Sequence, residues 1–246
     1  MNTNNFIKRF RKITILLVSG LLILTLTSLH NNDVQNKNSA NSEPFEVSIS
    51  GNISGTVYVP LQSGSVTFNR FPATVEEFNQ AREKIGDKPH GAVALQIMAY
   101  EMFRRDRAVG EECIMLNNIS SNTRSPIGRL KELFGNDANY ARPYQMAAFL
   151  KGATPKNGYN PSKPYKIEVR VSKTQKFLYS DIFQTNVLYL QVLTQGKSTG
   201  AETVAVLKTH KPDEPSNGEY FIVQSSPGLY SSVQAVSFTA PFKGLD

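Results

Sequence analysis

Cys113 is the chain's single cysteine. Together with His90 and the neighbouring Glu111 and Glu112, it supplies the residue types of a thiol nucleophile and its base. No cysteine-protease signature surrounds it, and the adjoining Ile114-Met115-Leu116 reads as core, where a lone Cys packs as a small hydrophobe. His90 lies between Pro89 and Gly91 at a helix start, where its ring is expected to meet exposed turn groups. Gly196-Lys197-Ser198-Thr199 imitates the end of a phosphate-binding loop, but position 191, where that motif needs glycine, is Gln191. The segment also lies between two expected strands rather than between a strand and a helix. Arg104, Arg105 and Arg107 form a basic knot relieved by Asp106, which reads as a solvated helix C-terminus favoured by the helix dipole. The stretch Gly152-Ala153-Thr154-Pro155-Lys156-Asn157-Gly158-Tyr159 has the make-up of a rigid loop: a glycine near each end, a proline, and an Asn-Gly pair suited to positive φ. Loops of this kind carry ligands or join two halves of a fold. If this one is a ligand loop, Thr154, Asn157 and Tyr159 are its candidate contacts; if it is a connector, Tyr159 packs. No catalytic residue, cofactor site or metal-ligand set can be named, and the zincin, paired-cysteine, nucleophile-elbow and dinucleotide motifs are absent.

These residues must be positioned by elements that the pattern of apolar residues predicts. Phe45 to Ile49 alternates strictly, and Thr56 to Val59 and Ser65 to Phe68 follow between glycine-containing turns, which predicts a small N-terminal β-meander over 44–70. A helical block is expected over 71–151. Thr74 and Glu77 make a capping box ahead of an amphipathic run ended by Gly86. Ala92 to Arg107 is apolar nearly all round in its first turns, as a central buried helix is. Shorter helices are expected at Glu111 to Leu116, Pro126 to Phe134 and Gln145 to Leu150. After Gly152 the period changes to two. Tyr165 to Val171, Asn186 to Leu193, Thr203 to Leu207, Tyr220 to Val223 and Val233 to Phe238 read as strands separated by turn signals, which predicts an antiparallel sheet over 160–240. The class is therefore α+β, with residues 44–246 as a single domain.

The N-terminal end carries an address. Ile13 to Leu29 is an uncharged run of 17 residues preceded by Lys8, Arg9, Arg11 and Lys12. A basic flank on a hydrophobic run directs the chain out of the cytoplasm, so residues 1–30 read as a signal peptide or a retained signal anchor. The Asn- and Ser-rich residues 31–43 read as a flexible linker. The net charge of +7 owes four units to this leader; from residue 31 onward there are 23 basic against 20 acidic residues. The high isoelectric point is thus no sign of nucleic-acid binding, and no nucleic-acid partner is expected. A lone cysteine forms no internal disulfide, which is ordinary in an exported bacterial protein.

Three stretches carry a family resemblance: Pro72 to Phe78 with Lys88 to Leu95; Arg142-Pro143-Tyr144 leading into Lys151 to Tyr159; and Val204 to Lys208 with Gly218 to Ser226. Over roughly 71–235 the chain resembles an uncharacterised bacterial domain-of-unknown-function family, family 6935. The resemblance implies a domain of helices followed by sheet, with a segment after Tyr144 that is less helical than Gln145 to Leu150 reads here. It implies no catalytic residue, substrate or cofactor. The expected function is that of a non-enzymatic, exported or membrane-anchored domain that binds a protein or ligand in the cell envelope or outside. The membrane contact would be through residues 13–29 if the leader is uncleaved. An extracytoplasmic hydrolase with unidentified catalytic residues and a component of a secreted system are the alternatives.

Overall fold

Strand alternation and helix caps account for most of the elements. In the computed structural model, which describes residues 43–119, 124–137, 141–208 and 220–245, β1 (Val47–Gly51) and β2 (Ser63–Phe68) come first. Four helices follow: α1 (Val75–Ile85), α2 (Pro89–Arg105), α3 (Arg107–Asn117) and α4 (Arg124–Leu133). Single 3-10 turns at Ala147–Phe149 and Pro155–Asn157 lead to β3 (Tyr165–Val171), β4 (Leu178–Ser180), β5 (Thr185–Leu193), β6 (Ala201–Lys208), β7 (Phe221–Ser225) and the short α5 (Pro227–Tyr230). The expected leader, residues 31–42 of the expected linker, and the turn around Asp213 lie outside the described residues. Among the described residues no helix is long and apolar enough to cross a membrane.

The α+β class holds, with one change of plan. The N-terminal strands are no separate meander: β2 pairs antiparallel with β3, so the sheet runs β1-β2-β3-β5-β6-β7, with β4 added beside β5, and all its strand pairings are antiparallel. Two expected strands are not formed. At Thr56 to Val59 the Ser54 hydroxyl accepts from the Thr56 and Val57 amides and turns the chain, and the Asn186 amide takes the Thr56 carbonyl. At Val233 to Phe238 the amides of Val233, Gln234 and Ser237 go to Gln145 Oε1, the Gly196 carbonyl and the Pro155 carbonyl, so no ladder can run. The expected helix at Gln145 to Leu150 reduces to turns and one 3-10 turn, in line with the family resemblance.

Caps fix the helical block. Thr74 Oγ1 accepts from the Glu77 amide and ends the preceding loop, while the Glu77 carboxylate pairs with Arg70 at 2.6 Å and accepts from the Ala73 amide, rather than closing the box on Thr74. Asp106 caps α3 by accepting from Ala108 and Val109. Helix α2 is buried from Pro89 to Phe103, as its lack of a polar face requires. It lies with α1 and α3 against the sheet face formed by Val66, Phe68, Ile167, Val169, Leu190, Val192, Val204 and Val206. A smaller cluster of Ile119, Val187, Ala205, Leu207 and Ile222 is buried apart from it. Arg104 and Arg105 are not the solvated knot expected: both guanidinium groups clamp the fully buried Glu101 carboxylate, and Arg105 also donates to the Leu245 carbonyl and lies 5.2 Å over the Phe71 ring. A buried carboxylate with neither partner would be strongly destabilising, so the pairing is a condition of the burial.

Candidate functional site

β3 alternates Tyr165, Ile167, Val169 and Val171 toward the helices with Lys166, Glu168 and Arg170 outward. Its register places Lys166 opposite Thr67, Glu168 opposite Ser65 and Arg170 opposite Ser63. β1 continues these rows with Ser48 and Ser50, whose hydroxyl lies 2.9 Å from that of Ser65. Toward β5, Arg170 stands opposite Gln191 and donates through Nε to its Oε1 at 3.0 Å. The outer face at this end is thus a carpet of hydroxyl, amide and charged groups.

β3 and β5 are paired only from Val169↔Val192 to Val171↔Leu190. The earlier part of β3 is met instead by the segment after the Ala147–Phe149 turn, whose Lys151 amide donates to the Lys166 carbonyl at 2.7 Å. This brings the Lys151 ammonium to 2.9 Å from the Glu168 carboxylate, with Lys166 at 3.9 Å from the same oxygen. Three adjoining hollows follow the splay. One of about 580 Å³ lies over Ser50, Ser63, Ser65, Glu168, Arg170 and Lys173. One of about 500 Å³ lies between Leu150 to Gly152 and Leu193 to Gln195. One of about 290 Å³ is lined by Asn157, Asn160, Lys163 and Lys166. Shared residues Lys151, Gly152, Lys166, Glu168 and Leu193 join them into one open groove. Among the described residues its lining carries five cations, Lys151, Lys163, Lys166, Arg170 and Lys173, against the single carboxylate of Glu168.

The loop singled out in the sequence borders the last hollow. Thr154 Oγ1 accepts from the Asn157 amide and Asn157 Oδ1 accepts from the Thr154 amide, a reciprocal cap on one 3-10 turn. Asn157 Nδ2 donates to the Gly152 carbonyl. Gly158 sits at φ +67°, and a Cβ there would come within 2.3 Å of the Ala240 carbonyl oxygen. Tyr159 is fully buried, stacks on Tyr144 at 5.1 Å and donates to the Gln234 carbonyl at 2.9 Å; burial first, and Tyr144 second, push its hydroxyl up to about 12. Of the three candidate contacts, Asn157 therefore lines the groove, Thr154 holds the turn and Tyr159 lies in the core.

The other candidates are placed apart. Cys113 is buried, and burial, with Glu112 adding, pushes its thiol up to about 12, while Arg82 pulls the other way. His90 does not face exposed groups as expected: it is fully buried, and its ring lies so close under Gly64 that a Cβ there would be 2.5 Å from it. The groups that act on His90 are Ser50, Lys88 and Asp87, not Cys113. Lys197, in the phosphate-loop look-alike of the β5–β6 turn, is tied to the Gly228 carbonyl of α5 at 3.0 Å and to Glu202 of β6 at 3.1 Å. A polar cluster that sequence reasoning missed lies inside the fold: Gln96 Oε1 accepts from Asn117 and Asn118, and Tyr100 bonds Ser226. Gln96 and Tyr100 share a helix face four residues apart, but their partners come from α3 and beyond β7. Among the described residues no group of three or more His, Cys, Asp or Glu is placed to hold a metal ion.

Architecture and groove together define an α+β domain with helices on one face of an antiparallel sheet and an open, polar, cation-rich hollow on the other. The chain belongs to the family described as Domain of unknown function (DUF6935), whose model matches residues 70–237. No curated protein matches it, and no solved structure does.

Proposed function

We propose that the chain is an exported, non-enzymatic binding domain whose open sheet face takes an extended anionic ligand of the cell envelope, a polymer bearing phosphate or carboxylate groups. The observation that carries this reading is where the charge lies. From residue 31 onward basic residues exceed acidic ones by three, 23 against 20. The groove alone holds five cations against one carboxylate. The rest of that region is accordingly close to neutral, and the excess is gathered where hydroxyls and amides are ready to bond a ligand. Lys173 has no ion-pair partner among the described residues, and the Arg170 Nη groups have no hydrogen-bond partner there, so both can meet an anion without first breaking a pair. Export rests on the basic flank and apolar run of residues 1–30.

The hydrolase alternative would need a polar cluster open to substrate. The one around Gln96 and Tyr100 consists of amides and hydroxyls, all buried within the core, where no substrate reaches them.

The test is direct binding of inorganic polyphosphate and of a polyuronate to the purified chain and to a Lys166→Glu/Arg170→Glu variant. Binding should weaken linearly in log Kd as log salt rises, and the variant should bind at least tenfold more weakly. Binding unchanged in the variant, or no binding to either polymer at low salt, would reject the groove as the site. Duplex DNA serves as the comparator: equal affinity for all three polyanions would mean charge attraction without a built site.

A further inference from the structure

The ladder bonds show which way β1 faces. The Asn69 amide donates to the Glu46 carbonyl, and the Val171 amide donates to the Gln62 carbonyl. With the registers Val47↔Phe68 and Ser63↔Arg170, these fix the alternation: Glu46, Ser48 and Ser50 bond toward β2, and Val47, Ile49 and Gly51 turn their backbone groups away from the sheet. Among the described residues those outward groups meet no hydrogen-bond partner. The strand is short and ends at Gly51, whose φ is +82°, but Val47 to Ser50 hold no charge and no proline, and the register with β2 is unbroken. The opposite edge is different. There the Ile119 amide bonds the Val223 carbonyl, and Asn118 bridges to Val223 beside β7.

We propose that two copies of this chain join edge to edge through β1, antiparallel about a two-fold axis at Ile49. The strand is self-complementary in that register. Ile49 meets Ile49 of the second copy at the axis, and the outward groups of Val47 face those of Gly51. On the solvent side Ser48 stands opposite Ser50, small against small. Glu46 falls opposite Asn52, so no like charges meet across the axis, as they would for many other edge partners. The pairing is isologous and closes on itself, as a two-fold contact does. It also carries the hydroxyl rows of one outer face, through Ser48 and Ser50, directly into those of the next. A strand of this length buries little area, so the contact would be weak in dilute solution and strengthened wherever two copies are held close together.

The register makes a sharp test. Opposed residues at non-hydrogen-bonded positions lie about 4.5 Å apart between Cα atoms, within disulfide range. Ser48 and Ser50 of two copies are such a pair, whereas Ser48 and Ser48 lie roughly 7–8 Å apart on the diagonal. Full-length Ser48→Cys and Ser50→Cys variants, mixed and oxidised with copper phenanthroline, should give at least tenfold more cross-linked dimer than either variant alone. Ile49→Pro, which removes the central outward donor without touching the bonds to β2, should abolish self-association in sedimentation velocity while keeping a folded circular dichroism spectrum, its melting point lowered by the lost Ile49 packing on the core; Ile49→Ala, which loses the same packing but keeps the donor, should still associate. Equal cross-linking of the single variants and the mixture would overturn the register. A wild-type chain that sediments as a monomer up to high micromolar concentration, or an Ile49→Pro variant that still associates, would overturn the interface. Because β1 carries no groove cation, loss of polyanion binding would leave this result standing, and the reverse holds as well.

Discussion

Both ring nitrogens of His90 lie buried without a hydrogen-bond partner of ordinary geometry. Burial pulls the imidazole below its usual 6.5; Lys88 adds to this, while the Ser50 backbone and Asp87 offset part of it. The unfolded chain therefore takes up this proton at a higher pH than the folded one. The histidine's contribution to stability is complete above about pH 6.5 and is lost as the pH falls below that, with a slope approaching about 1.4 kcal/mol per pH unit. Urea unfolding between pH 8 and pH 5 should show that fall, and His90→Phe should remove most of it; an unchanged profile would mean the ring is not held neutral. Cys113 tests the same principle for a nucleophile. With its thiol pushed up to about 12, it should resist a disulfide reagent in the native state at neutral pH and react fully once the chain is unfolded. Rapid native labelling would restore the catalytic reading. Residue types alone offered a thiol and an imidazole, and the neighbouring apolar residues favoured a packed cysteine; each is buried with its own set of interacting groups, which no local pattern records.

At the scale of elements, the loop from Gly152 to Tyr159 is where the fold turns from helices to sheet. Gly158→Val would force a β-branched residue to a positive φ and against the Ala240 carbonyl, and should cost about 1–3 kcal/mol in chemical denaturation. Lys156 is exposed on the same turn, and Lys156→Ala should change stability by less than about 0.5 kcal/mol. If the two substitutions prove equally mild, the turn does not hold the junction. The loop's make-up was readable in the chain because glycine, proline and Asn-Gly act locally. The outward side chains of β3 were readable too, since alternation fixes Lys166, Glu168 and Arg170 on one face. The groove was not, because it depends on where β3 and β5 part and on a backbone bond from Lys151 to Lys166, which no periodicity encodes. The failed strands at Thr56 and Val233 have the same origin: their amides are taken by Ser54, Gln145, Gly196 and Pro155, and a propensity says nothing of such rivals.

For the molecule as a whole, the core of the sheet and helices is built from residues 45 onward, and residues 45–246 make up one compact unit. A chain beginning at Pro44 should therefore be soluble and melt in one cooperative transition, the same by circular dichroism and by tyrosine fluorescence. Two separated transitions would mean that the helical block and the sheet are independent domains. The pairing of β2 with β3 argues against that outcome, since the helices are spliced between two neighbouring strands. That splice also sets an order of events on the ribosome. Phe68 and its ladder partner Tyr165 are 97 positions apart. At synthesis rates of about 5–20 residues per second, the β1–β2 hairpin waits roughly 5–20 seconds for the strand that completes it. A two-stranded hairpin is marginal in water, so for that interval Val66 and Phe68 have the helices that follow them to pack on but no third strand to hold the hairpin in register. Until β3 emerges to close the ladder, on the ribosome or on the far side of a membrane, the chain is thus a client for whatever factor shields extended hydrophobic segments.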